Sequence, residues 1–149
     1  LDIEFIEQPL PGADLDGLTE RVETGCPIAI DEGLRRHDIT TLADAGVAVI
    51  ICKPMALGGP LRTLDLVAAA DTAGLSSVIT TTYDAVIART AAVHVAAAVG
   101  GSHAHGVATA SRIQRDTAQD PLDVTAGAIA IGSTPGLSGL TDAAYDLGP

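Results

Sequence analysis

The sequence predicts an α/β fold with a parallel sheet, arranged as part of a (β/α) barrel. Strand-like apolar runs alternate with helical patterns along residues 1–110, which is typical of parallel sheets covered by helices. No G-x-G-x-x-G motif follows the first strand, so the dinucleotide fingerprint of many doubly wound sheets is absent. Glu7, Asp31 and Lys53 end three successive strands, and barrel enzymes gather their active sites at that end.

The individual elements follow from hydrophobic spacing and from the residues that cap or break them. The run at 47–52 is apolar and mostly β-branched, which suits a strand covered on both faces. Asp38 and Gly46 are the predicted caps of the second helix, and Gly74 should end the third. The predicted strands are 3–6, 27–30, 47–52, 75–82 and a short 107–109, and the predicted helices are 14–24, 38–45, 59–73 and 85–99.

The character of the chain changes after Ala110, which divides it into two parts. Residues 111–125 are polar, residues 126–131 are an apolar, glycine-flanked candidate strand, and residues 133–149 are rich in Gly, Pro and Ser and predict a loop. We therefore expect a partial barrel over residues 1–110 and a C-terminal segment over residues 111–149. Four or five strands amount to about half of an eight-stranded barrel.

Composition excludes several classes of partner. The net charge of −11 argues against nucleic acid, and no apolar run approaches the ~20 residues of a membrane span. No leader pattern opens the sequence, so we expect a cytoplasmic protein. The acid excess and the single lysine resemble proteins of salt-accumulating halophiles, with an acidic mesophilic protein as the alternative. Cys26 and Cys52 are expected to be buried, unpaired thiols in a reduced cytosol.

Glu7, Asp31 and Lys53 form the main candidate site. Each interval between them spans one strand–helix unit, so all three should face one mouth of a parallel barrel. Two carboxylates are hard oxygen ligands suited to Mg²⁺. A lysine beside them can transfer a proton next to a substrate carboxylate while the metal stabilises the resulting enolate. The alternatives are that the acids are capping or solvated loop residues, and that Lys53 only reaches solvent from a strand end.

Several motifs at these intervals resemble the enolase superfamily, in its muconate lactonizing enzyme branch. They are FIEQP at 5–9, AIDEG at 29–33 and CKPMALGG at 52–59. Within that branch the likeness is greatest to the o-succinylbenzoate synthases, through VITTTYDAVIA at 78–88, HGVATA at 105–110 and the tail from Asp120 onward. The resemblance implies the C-terminal part of a (β/α)7β TIM-type barrel, about strands 4 to 8. It also implies that the tail returns toward a capping domain.

The resemblance also implies an activity and roles for individual residues. Glu7 and Asp31 match two of three Mg²⁺ ligands, and Lys53 matches a catalytic acid/base lysine that is also credited with stabilising a charged intermediate. Thr80 and Gly106 fall where the synthases contact their substrate. The implied reaction is a dehydration that gives o-succinylbenzoate in menaquinone biosynthesis, through a metal-stabilised enediolate of a small-molecule carboxylate. The third ligand and a second lysine would precede Leu1.

Two other readings stay open. The same residues suit an N-acylamino acid or dipeptide racemase or epimerase, which also carries a lysine at the position of Lys53. Alternatively the chain is an inactive half-barrel whose exposed sheet edges favour self-association, so a homo-oligomer is among the expected states. Gly33 departs from the serine usual in the branch. Tyr83 and Asp84 are candidate pocket residues, with a helix N-cap as the alternative for Asp84, and the loop histidines His103 and His105 are expected to be incidental.

Overall fold

The structure is a computed structural model that describes residues 2–12, 14–22 and 25–137. Its main sheet has four parallel strands in the order β1-β2-β3-β4. The strands are β1 (Ile6–Glu7), β2 (Ile28–Ile30), β3 (Val49–Cys52) and β4 (Ser76–Ile79). The helices are α1 (Leu15–Val22), α2 (Ile39–Asp44), α3 (Pro54–Leu57), α4 (Pro60–Thr72) and α5 (Val86–Val99). The predicted α/β class with a parallel sheet is confirmed.

Capping residues, a proline and a glycine determine where α2 and α3 begin or end. The Asp38 carboxylate accepts a hydrogen bond from the Thr41 N–H at 2.8 Å, which confirms the predicted cap and holds the pKa of Asp38 below its usual value. Helix α3 was not predicted. It starts with Pro54, whose fixed φ suits a first helical position, and it ends at Gly58, where φ is 93°. This short helix separates the end of β3 from α4.

The sheet buries side chains on both faces. On the helix-covered face, Ile30, Ile50, Cys52 and Ile79 join a large core with residues from the helices. On the opposite face lies a smaller group, here called the inner cluster, which consists of Ala29, Val49, Ile51 and Val78 with the partly buried Phe5 and Ala48. Burial on both faces explains why the sequences of β2 and β3 are continuous apolar runs.

Three predicted strands differ from the structure. The strand predicted over 75–82 ends at Ile79, and beyond it Thr80 makes only an isolated β-bridge. The first strand covers Ile6–Glu7 rather than 3–6, because its register pairs Ile6 with Ile28 and so leaves residues 3–5 opposite the turn around Gly25. No strand forms at 107–109. Only Gly106 makes a β-bridge, with Thr80, and the Val107 carbonyl instead accepts a hydrogen bond from Arg89 Nε at 2.9 Å.

The predicted strand at 126–131 is part of a small antiparallel hairpin. Its strands are β5 (Val124–Thr125) and β6 (Ala128–Ile129). Ala126 and Gly127 between them have φ values of 50° and 78°, as in the two-residue turns that match strand twist. Residues 133–137 form bends and turns, as predicted, while the end of the predicted helix at 23–24 and the predicted loop at 138–149 lie outside the described residues.

The segment after Ala110 is attached to α5. Asp116 accepts hydrogen bonds from the Val86 N–H at 2.9 and 3.0 Å. Arg89, only 1% exposed, pairs with Asp120 and donates to the Leu122 carbonyl. Leu122 itself belongs to the large core, so this part of the C-terminal segment packs with the barrel portion. The proposed boundary at residue 110 stays a prediction.

Among the described residues, no helix combines the length and apolar character needed to cross a membrane.

Candidate active site

The predicted site residues lie on one face of the sheet, at its carboxyl end. Side chains alternate between the two faces along a strand, so residues two positions apart share a face. Glu7, Asp31, Lys53 and Thr80 each follow one member of the inner cluster by two positions, namely Phe5, Ala29, Ile51 and Val78. The four polar side chains therefore lie above the inner cluster, on the side away from the helices.

Asp31 and Lys53 are in direct contact. The Lys53 ammonium donates to Asp31 Oδ2 in an ion pair whose side chains are 23% and 11% exposed, respectively. The two residues follow neighbouring strands β2 and β3, which explains how positions 22 apart meet. Cys52, which precedes Lys53, points to the other face into the large core, and burial raises its pKa to about 12. A buried thiol with a raised pKa carries little thiolate, which leaves the Lys53 amine as the candidate reactive group at this strand end.

Glu7 is electrostatically linked to this pair. Its side chain reaches solvent, yet loss of hydration raises its pKa, and the Asp31 charge raises it further. Lys53 acts in the opposite direction and Glu32 adds a smaller repulsion. Glu7 and Asp31 thus repel each other beside a single lysine, and additional positive charge at this position would favour the charged form of Glu7.

The donor set suits magnesium. Within the described ranges no three His, Cys, Asp or Glu side chains converge into a metal-binding cluster. The candidate site thus offers the two carboxylates of Glu7 and Asp31. Mg²⁺ commonly takes one or two protein carboxylates and fills its remaining positions with water or substrate oxygens. Two electrostatically coupled carboxylates therefore fit that ion, and these two residues would hold it.

A glutamine side chain fixes the loop that carries Asp31. Gln8 Oε1 accepts hydrogen bonds from the N–H groups of Asp31 at 3.0 Å and Gly33 at 3.1 Å. Gln8 has a φ of 41°, an uncommon value for a residue other than glycine. Gly12 and Gly33 pack so closely that a Cβ on Gly12 would lie 2.8 Å from the Gly33 nitrogen. The loops after β1 and β2 are thereby held together at the backbone of Asp31.

A cavity of about 190 Å³ opens at Lys53 and Asp31. This is below the ~300 Å³ at the lower end of drug-sized sites. Arg35, Leu57 and Thr82 line the same cavity, and sequence reasoning missed all three. Arg35 lies in the 3₁₀ helix that directly follows Asp31, so its closeness to Asp31 in the sequence could have indicated that it lines the cavity. Thr82 lies beyond β4, where the sequence alone does not fix the direction of side chains.

Thr80 and Gly106 contact each other. The Thr80 hydroxyl donates to the Gly106 carbonyl at 3.0 Å, and a Cβ on Gly106 would lie 2.7 Å from Thr80 Oγ1. Glycine is therefore required for close approach of the two segments rather than for a turn. Their predicted role in substrate binding stays a prediction, and the threonine that lines the cavity is Thr82.

The remaining candidates have structural partners. The first helical N–H of α5, at Val86, is bonded by Asp116, so Asp84 does not cap that helix and the alternative reading was wrong. His105 Nδ1 accepts from the Ile79 N–H at 3.1 Å. His103 pairs with the Glu4 carboxylate, at the opposite end of the strands from the candidate ligands. Neither histidine lines the cavity at Lys53.

Comparisons with known proteins identify the family. Residues 1–143 match a family model described as Enolase C-terminal domain-like. The chain is 34% identical over 112 residues to the o-succinylbenzoate synthase of Citrobacter koseri. The aligned region covers 75% of this chain and 35% of that protein. The chain therefore spans about a third of the length of this curated relative.

Solved structures give the same result for the fold. A mandelate racemase/muconate lactonizing protein from Herpetosiphon aurantiacus matches with a TM-score of 0.78 and 28% identity over 87% of this chain and 37% of that one. The L-Ala-D/L-Glu epimerase of Bacillus subtilis matches with a TM-score of 0.80 and 24% identity, over 91% of this chain and 38% of that one. The predicted fold, the C-terminal part of a TIM-type barrel, is confirmed, and the chain belongs to the enolase C-terminal domain-like family.

Proposed function

We propose that this chain forms the catalytic half of a Mg²⁺-dependent lyase that dehydrates a hydroxylated cyclohexadiene carboxylate to o-succinylbenzoate. The observation that carries the proposal is the contact between the Lys53 ammonium and Asp31 at the mouth of the partial barrel, with Glu7 electrostatically coupled to both. The sequence identity of 34% over 112 residues with an o-succinylbenzoate synthase supports this choice of reaction.

The roles of the residues follow from the chemistry. Removing a proton from the carbon beside a carboxylate builds negative charge on that carboxylate, and a bound Mg²⁺ would supply compensating positive charge there. Lys53 transfers the proton, since a lysine can cycle between its amine and ammonium forms. Breaking the C–H bond and the C–OH bond releases water and leaves the aromatic product. Asp31 holds the Lys53 side chain in place when no cation competes for its oxygens.

A racemase or epimerase acting on N-acylamino acids or dipeptides is the second candidate. The overlay with the Bacillus subtilis epimerase shows that the same fold accompanies that activity, and Lys53 suits proton exchange without elimination equally well. A third candidate is an inactive half-barrel, because the chain spans about a third of the Citrobacter koseri enzyme. The first two candidates predict different reactions, and the third predicts none.

The activity test uses the full-length protein that carries these residues. Mg²⁺-dependent formation of o-succinylbenzoate is measured for the wild type, for Lys53→Ala and for Arg36→Ala, a control in which an exposed cation near the site is lost. Formation that disappears only in Lys53→Ala supports the lyase. Solvent α-proton exchange in N-acylamino acids, without formation of o-succinylbenzoate, would replace it with the racemase. Absence of both activities in a folded, metal-loaded full-length protein would refute both reactions. Activity in the full-length protein that the isolated 149-residue chain lacks would support the inactive half-barrel.

Metal binding is tested separately from activity. Isothermal calorimetry with Mg²⁺ should give at least about tenfold weaker binding for Asp31→Asn and Glu7→Gln, because each removes one charged ligand. Asp71→Asn, an exposed carboxylate on α4, is the matched control and should bind like the wild type. Equal binding by all four proteins would remove Glu7 and Asp31 as ligands.

A further inference from the structure

Thr82 and Asp84 form a hydrogen-bonded pair at the edge of the cavity. Neither residue takes part in the proton transfer or metal binding proposed above. Thr82 is exposed and lines the cavity together with Lys53 and Asp31. Its hydroxyl donates a hydrogen bond to Asp84 Oδ1. A hydroxyl has one proton to donate and two lone pairs that accept. Because the proton is committed to Asp84, the threonine oxygen remains available to the cavity as an acceptor.

Asp84 has an unusual environment for a carboxylate. It is only 7% exposed, and among the described residues its Oδ2 atom is buried without a hydrogen-bond partner. Leaving a buried acceptor unpaired destabilises a fold. Asp84 gains no compensating role at the start of α5, because Asp116 already bonds the Val86 N–H. Its one described side-chain hydrogen bond is the one that orients Thr82.

The residue between them adds a second unfavourable feature. Tyr83 has a φ of 62°, a left-handed value that is uncommon for an aromatic residue. Its side chain is 67% exposed, so burial of the ring does not compensate for the strain. This backbone conformation lies between a buried carboxylate and a cavity-lining hydroxyl. Strained backbone of this kind concentrates at functional sites.

We propose that Thr82 is a specificity residue that accepts a hydrogen bond from a hydroxyl or N–H group of the substrate, and that Asp84 is the positioning residue that orients it. The inference rests on the proposed function for the identity of the donor. In the dehydration, the donor is the hydroxyl group that leaves as water. In the alternative racemase, it is the N–H of the N-acylamino acid. In either case a ligand without that donor gains nothing from Thr82.

The dehydration offers a natural pair of ligands for a test. The substrate carries the hydroxyl group, and its product, o-succinylbenzoate, lacks it. Binding of both is measured by calorimetry in the full-length protein with Lys53→Ala, which prevents turnover, alone and combined with Thr82→Val. Thr82→Val should weaken binding of the hydroxylated substrate by about 3- to 10-fold, the value of one hydrogen bond, and leave binding of o-succinylbenzoate unchanged.

Three further variants separate positioning from simple loss of structure. Thr82→Ser keeps the hydroxyl and should restore the preference for the hydroxylated substrate. Asp84→Asn keeps an oxygen acceptor for Thr82 and should retain most of that preference, whereas Asp84→Leu should lose it. Thr72→Val removes an exposed hydroxyl on α4 that donates to the Ala68 carbonyl, and should change neither affinity.

The outcomes are distinguishable from those of the proposed function. Equal weakening of both ligands by Thr82→Val, or no weakening of either, overturns the role of Thr82. If the protein exchanges α-protons of N-acylamino acids instead, the lyase fails, and the comparison becomes an N-acylamino acid against its ester analogue, in which oxygen replaces N–H. A selective loss for the N–H ligand then supports Thr82, and an equal loss overturns it. Failure to bind either ligand pair overturns both proposals.

Discussion

The ion pair between Arg89 and Asp120 should stabilise the fold strongly, and Asp120→Ala tests this. Arg89 is 1% exposed, so the variant leaves a buried guanidinium without its counter-charge. Breaking a buried pair by removing one partner typically costs about 3–5 kcal/mol. Three hydrogen bonds from Arg89 remain, at 2.9 Å to the Val107 carbonyl and at 3.1 and 3.2 Å to the Leu122 carbonyl. They place the expected loss at the lower end, about 3 kcal/mol.

Urea denaturation of the full-length protein measures this loss, within a double-mutant cycle. Arg89→Met removes the charge and leaves the Val107 and Leu122 carbonyls unpaired, so it should also destabilise. The double variant should cost less than the two single variants together, with a coupling energy of about 1–3 kcal/mol. Arg115→Met, at an exposed arginine, should cost less than about 0.5 kcal/mol. A loss for Asp120→Ala as small as that of the control would refute the reasoning.

Three other predictions concern the site and its surroundings. Lys53→Met should lower turnover by at least about 10²-fold without unfolding the protein, with Arg36→Met unchanged in the same steady-state assay. The raised pKa of Glu7 means that the folded state holds this proton more tightly than the unfolded state, so its contribution to stability falls as pH rises above 4.5. Glu7→Gln should remove that fall, as measured by urea midpoints from about pH 4 to about pH 7. Gly106→Ala places a Cβ 2.7 Å from Thr80 Oγ1 and should lower the free energy of unfolding by about 1–3 kcal/mol; Thr80→Ala should recover part of that loss.

Features that depend on neighbouring residues were predictable from the sequence. Lys53 follows an apolar β-branched run, and the alternation of side chains then determines its face and that of Cys52. Asp38 precedes a helical pattern and bonds the N–H three residues later, as capping residues do. The same reasoning placed Asp31 at the end of the preceding strand, and the contact between Asp31 and Lys53 follows from the pairing of β2 with β3.

Features that depend on distant contacts were not predictable in this way. The apolar segment after Gly106 does not continue as a strand, because the buried Arg89 takes the Val107 carbonyl. Gln8 lies in a recognisable motif, but its bonds to the loop after β2 require knowledge of how the two loops meet. No signal in the neighbouring sequence indicated that Thr82 lines the cavity. The left-handed backbone at the next residue, Tyr83, is a property of the tertiary structure.

The presence of a single lysine makes the site chemically addressable. Within these 149 residues Lys53 is the one side chain with a primary amine, and it is partly exposed in its pair with Asp31. Among the amine-bearing side chains of these 149 residues, an acylating reagent therefore reports on this position alone. Its rate of reaction should fall when a ligand fills the cavity and change when Asp31 is replaced by asparagine. Peptide mass mapping after brief labelling would then follow occupancy of the site without an activity assay, a cofactor or a known substrate.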